Sequence, residues 1–134
     1  MNHVLTEQQI QSVASMGEEA LYKYFIDQTI EHKQVWGLRD EDGFVQLGTE
    51  EQVCLPVWPH AELAMQCAMD EWEGCVAVAI PVQVWASHWL TNMGKKGAWL
   101  TICPNEYDDC LVCEPLDVQR DTLFAMPVAN DLLH

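Results

Sequence analysis

The sequence predicts an α+β fold: one mostly antiparallel sheet of about five to six short strands, with three to four helices packed on it. Three observations lead there. Segments with apolar residues at three- and four-residue steps are interspersed with short strand-like runs. Pairs of those runs flank the turn signals "DEDG" and "PNEYDD", as antiparallel neighbours do. The chain has 134 residues, 49% of them hydrophobic, enough for one core without disulfides or metals. No repeat, low-complexity tract or linker divides it, so residues 1–134 read as a single globular domain.

The elements follow in order. "TEQQ" at 6–9 is a capping box, with Thr6 as N-cap and Gln9 placed to reach back. Ile10, Val13, Ala14, Leu21, Tyr24 and Phe25 continue the helical spacing, predicting one helix to Gln28 or His32 that tolerates Gly17 in its middle. Val35–Arg39 and Phe44–Leu47 are the arms of a hairpin around "DEDG". "VCLPVW" is a third strand, and Pro56, lacking an N–H, predicts an edge or a bulge.

Residues 60–73 predict a second helix closed by Gly74. "CVAVAI" is an unbroken apolar run, the pattern of a central strand covered on both faces. Pro81 can open a third helix carrying Trp85 and Trp89, capped at Gly94 with Lys95 and Lys96 at the negative end of its dipole. "AWLTIC" and "CLVC" predict a second hairpin, and Pro115 to Phe124 a last helix.

Charge narrows the function classes. Twenty-one acidic residues against six Lys and Arg leave a net charge of −15, which repels phosphate backbones and anionic lipid. Neither nucleic acid nor a membrane surface is therefore an expected partner; a basic protein is. "GCVAVAIPVQVWASHWL" falls short of the ~20 residues that span a bilayer and divides into a strand and a helix. The first ten residues carry no basic and apolar export pattern, so six cysteines are expected as reduced, buried thiols in a cytoplasmic protein.

Candidate chemistry is sparse. "CLVC" has CxxC spacing, but residues three apart on a strand face opposite ways, and Asp108, Asp109 and Glu114 would raise rather than lower a thiol pKa. "DEDG" has its glycine at the fourth position, where a calcium loop needs it at the sixth. Ser87 and His88 are adjacent on a helix and point about 100° apart. There is no nucleophile elbow, P-loop or dinucleotide fingerprint. No cofactor and no metal site is predicted.

"LPVWPH" at 55–60 reads structurally as a strand end turning into a helix, with Trp58 held extended before Pro59 and His60 in the first helical turn. A functional reading groups Trp36, Arg39, Trp58 and His60, since Trp and His can stack on and hydrogen-bond a ligand while Arg39 pairs with an anion. "VWGL" at 35–38 followed by "LPVWPH", with a helix ending at Trp72 and "AVAIPV" after it, resembles a family of small bacterial single-domain proteins of unknown function. The resemblance covers roughly residues 10 to 115. It implies a compact α+β domain, bacterial and cytoplasmic, and carries over no catalytic residue.

The sequence thus points to a non-catalytic interaction module, inhibitor- or immunity-like, for a basic partner. The alternative is a small-molecule binder or enzyme built on Trp36, Arg39, Trp58 and His60. A two-fold homodimer is a further expectation, because six tryptophans on a small domain offer aromatic patches to bury.

Overall fold

The structure is a computed structural model, and it describes residues 6–48, 52–104 and 111–126. It opens with α1 (Glu7–Ala14) and α2 (Glu18–His32), then β1 (Gln34–Asp40), β2 (Gly43–Phe44), β3 (Leu47–Gly48) and β4 (Val53–Val57). After α3 (Ala61–Gln66) and a 3₁₀ turn (Asp70–Trp72) comes β5 (Val76–Pro81). Then α4 (Val82–Val84), a π-helical turn (Trp85–Trp89) and α5 (Leu90–Lys96) form one unbroken helix over 82–96. β6 (Trp99–Ile102), β7 (Leu111–Cys113) and α6 (Pro115–Ala125) complete the described residues, which hold five helices in all.

The α+β class stands, but the strands form two sheets rather than one. Their orders are β2-β1-β5 and β3-β4-β6-β7. Every pairing is antiparallel except β4 with β6. Among the described residues the sheets meet at one bridge, where Trp36 and Trp58 exchange both backbone hydrogen bonds at 2.8 Å. The physical reason for the division lies in β4. Val57 accepts from Cys103 N–H on the β6 side, so by strand alternation Pro56 and Trp58 direct their backbones the other way. Trp58 meets β1 there. Pro56 faces the gap between β3 and that bridge, where its missing N–H costs no ladder bond. Of the edge or bulge that Pro56 predicts, the edge does not form: β4 is flanked by β3 and β6, and the proline occupies a gap in the β3 side instead.

Other expectations also shift. The first helix is two, because Gly17, extended at φ −72° and ψ 172°, is the N-cap of α2. The "HAELAMQCAMDEWE" helix stops at Gln66 and resumes only as the 3₁₀ turn. β5 is an edge strand, not a central one. Gly94 lies inside α5, and Gly97, left-handed at φ 72°, closes it.

The capping box is present: Gln9 N–H donates to Thr6 Oγ1, and Thr6 N–H donates to Gln9 Oε1. The first hairpin closes around Asp40, whose Oδ1 accepts from the N–H groups of Asp42 and Gly43, but the arm read as Phe44–Leu47 is divided: Gly43 and Phe44 pair with β1, whereas Leu47 pairs with Cys54 in the other sheet. The second pairs β6 with β7, while its loop lies outside the described residues.

Trp58, Trp85, Phe25, Leu38, Leu90, Leu100 and Ile102 are fully buried and form the centre of the core. Phe25 meets Trp85 edge-on at 5.6 Å, tying α2 to the π turn. Gln119 of α6 donates to the Ala86 carbonyl at 2.8 Å and to Thr91 Oγ1 at 2.7 Å, satisfying a polar group of that turn and fastening α6 across it.

Candidate functional site

The corner "LPVWPH" turns inward. Trp58 is fully buried; its indole N–H donates to the Pro104 carbonyl at 2.9 Å, and its ring meets Trp72 at 6.4 Å. His60 is the N-cap of α3, a residue earlier than a first-turn position, and it is only 5% exposed. Its Nε2 lies 2.9 Å from Tyr24 Oη in a hydrogen bond, and its ring meets that of His32 at 5.3 Å. Burial, and after it the charges of Cys103, Glu62 and Glu31, push the Tyr24 phenol upward.

The four residues grouped from sequence do not meet on one concave surface. Trp36 and Trp58 are joined through their backbones. Arg39 is exposed near the far end of β1, its guanidinium 5.7 Å from the centre of the Phe44 ring. Trp36 and Arg39 stand three apart on a strand and so point to opposite faces.

Thiols line a cleft of about 410 Å³ between the α1–α2 junction, α3 and the Cys103–Pro104 corner. Cys67 Sγ donates to the Pro104 carbonyl at 3.3 Å. Burial, and secondarily Cys67, pushes the Cys103 thiol up to about 12, which leaves it protonated and unreactive at neutral pH. Cys113 is pushed up to about 11, by burial first and then by Asp117, Glu18 and Asp121. Its CxxC partner Cys110 lies outside the described residues, as do the acidic pairs at 50–51 and 108–109. Among the described residues no three His, Cys, Asp or Glu side chains are placed to hold a metal ion.

A second depression, of about 510 Å³, is strongly charged. α2 contributes Glu18, Glu19 and Tyr22 to it, and α6 contributes Asp117, Arg120 and Asp121. Trp99, the three residues of β7 and Glu114 complete it. The sequence dictates the helical part: Glu18 and Tyr22, like Asp117 and Asp121, stand four apart and share a face. Tyr22 Oη donates to Asp121 Oδ2 at 2.5 Å, fastening α2 to α6. Burial, then that bond and the Asp121 charge, push the Tyr22 phenol far up. Arg120 lies 3.3 Å from Asp121 and 3.7 Å from Asp117. One guanidinium among five carboxylates leaves the groove strongly negative.

Sequence reading did not assemble this groove. The spacings on each helix are visible, but nothing local says that α2 and α6 lie side by side.

Comparison with known proteins gives one result. Residues 22–122 match a family described as Protein of unknown function (DUF2750). The chain belongs to the DUF2750 family. A search of curated proteins returned no match. The match takes in Tyr22, "VWGL", "LPVWPH" and α6 as far as Thr122, so in this DUF2750 protein it spans both the buried corner and most of the acidic groove. No described helix is long and apolar enough to cross a membrane.

Proposed function

We propose that this DUF2750 protein is a non-catalytic interaction module, inhibitor- or immunity-like, that engages a basic protein through the groove between α2, β7 and α6. The observation that carries the reading is the gathering of five carboxylates and one guanidinium around a single depression, with the aromatic rings of Trp99 and Tyr22 in its wall. Phe124 extends the face of α6 that bears Asp117, Arg120 and Asp121, and is 92% exposed. An exposed aromatic beside a charged rim is the pattern of an interface anchor. A net charge of −15 adds long-range attraction toward a basic target and raises the association rate.

Binding of this kind needs no reactive group, and the thiols suit that: the buried Cys103 and the half-buried Cys113 are both held protonated. The test is a pull-down at low ionic strength with the wild type and a Glu19→Lys/Asp117→Lys double variant, both changes on exposed side chains. The wild type retains a basic protein that elutes as salt rises, and the variant does not. An empty wild-type column, or a partner that the variant holds equally well, defeats the proposal.

A further inference from the structure

The geometry points to a second copy of this chain as the partner of the β5 edge, joined through an antiparallel β5–β5 pairing about a two-fold axis. This surface is distinct from the acidic groove.

The pairing directions follow from the ladder. In an antiparallel pair, hydrogen-bonded and non-hydrogen-bonded positions alternate. Trp36 gives both its backbone groups to Trp58, on the side of β1 away from β5, so its cross-strand partner Ala79 is in a non-hydrogen-bonded position. Val76, Val78 and Ile80 therefore face β1, and Ala77, Ala79 and Pro81 direct their backbones outward. β5 ends its sheet, and no described strand lies on that side.

Natural edges are guarded by charges, prolines, bulges or short length, and on this strand a proline stands only at the last position, Pro81. Val76–Pro81 has six residues and no charged side chain, in a chain of net charge −15. A basic partner drawn by the acidic surface finds no carboxylate on this strand. A second copy finds no like charge there either, and it is self-complementary. With Val78 on the axis, Ala77 stands opposite Ala79 of the partner subunit, twice. Each such pair exchanges both N–H···O bonds. Pro81 offers no N–H and ends the ladder. Both three-stranded sheets then become one of six, in the order β2-β1-β5-β5-β1-β2.

Apolar surface nearby supplies what an edge alone lacks. Val76 is 56% exposed, Val84 in α4, just past the end of β5, is 40%, and Met65 in α3, which packs on β5, is 45%.

Charge also separates this contact from the groove. Two copies of net charge −15 repel, so salt strengthens their pairing, whereas salt weakens attachment of a basic protein.

Sedimentation velocity of the full chain across a concentration and salt series tests the inference, alongside Ala79→Pro. That change removes one outward N–H and leaves the β1–β5 ladder intact. The wild type should reach twice the subunit mass, more readily at high salt, and Ala79→Pro should stay at the subunit mass with an unchanged circular dichroism spectrum. Amide exchange of the unaltered chain gives a second reading should the variant fail to fold: protection at Ala77 and Ala79 rises with concentration. A wild type that remains monomeric throughout, a dimer that Ala79→Pro leaves intact, or exchange at these amides that ignores concentration would overturn it.

Discussion

Gly37→Ala probes why "VWGL" carries a glycine in the middle of a buried strand. A Cβ at this position would stand 2.8 Å from Cδ1 and 3.0 Å from Cε1 of Phe44. That ring is not a loose end. It meets Trp89 edge-on at 5.0 Å and lies beneath the Arg39 guanidinium. It must swing away, giving up an aromatic pair worth about 0.5–1.5 kcal/mol. Overpacking of a filled site costs about 1–3 kcal/mol, against a gain of about 0.5–1 kcal/mol for replacing glycine by alanine in a strand. The net expectation is a loss of about 1–2 kcal/mol. Urea unfolding should then show a midpoint lower by roughly half to one molar at unchanged slope. In a Phe44→Ala background the obstacle is gone, and Gly37→Ala should cost nothing or stabilise. An equal loss in both backgrounds, or no loss in the wild type, would refute the packing argument.

Three further outcomes are expected. Tyr24→Phe removes the hydroxyl 2.9 Å from His60 Nε2 in a half-buried position and should cost about 1 kcal/mol by urea unfolding. Gly17→Ser supplies a side-chain cap to α2, which has none, at an extended position with open space; roughly half a kcal/mol of stabilisation should raise the melting temperature. Stability should also fall in alkali. Cys113 and Cys103 are raised from 9.0 to about 11 and about 12, and the phenols of Tyr22 and Tyr24 are raised above 10.0. The unfolded chain therefore releases these protons first, and the stability they contribute, whole below pH 9, drains away as pH climbs through the folded values. Urea midpoints measured from pH 7 to 11 check this, and Cys113→Ser should flatten the first part of the decline.

Much of the local structure was legible. The Thr6–Gln9 capping box, the Asp40 turn, the arms of the second hairpin and Pro115 at the start of α6 depend on local signals, and each forms as read, whereas the Phe44–Leu47 arm of the first hairpin is split between the two sheets. Errors gather where a local signal had two readings. Two glycines stand near the end of the third helix; Gly94 looks like its cap, yet it lies inside the helix, where α6 crosses so closely that a Cβ would stand 2.9 Å from Leu116 Cδ2, and Gly97 is the cap. The stripe from Ile10 to Phe25 reads as one helix because its period hides a short break at Gly17. For His60, whether the side chain faces a ligand or Tyr24 turns on a residue 36 positions away.

Composition and spacing determined the class of this protein, the identity of most of its elements and its strongly acidic character, since each depends on short-range geometry or on a sum over the chain. Tertiary structure alone decided which elements are neighbours. A pairing between strands or helices far apart in sequence leaves no trace in local periodicity. That is why the expected single sheet forms as two joined at the Trp36–Trp58 bridge, why the uniformly apolar β5 lies at an edge, and why five carboxylates from α2, α6 and the residue between β7 and α6 meet in one groove.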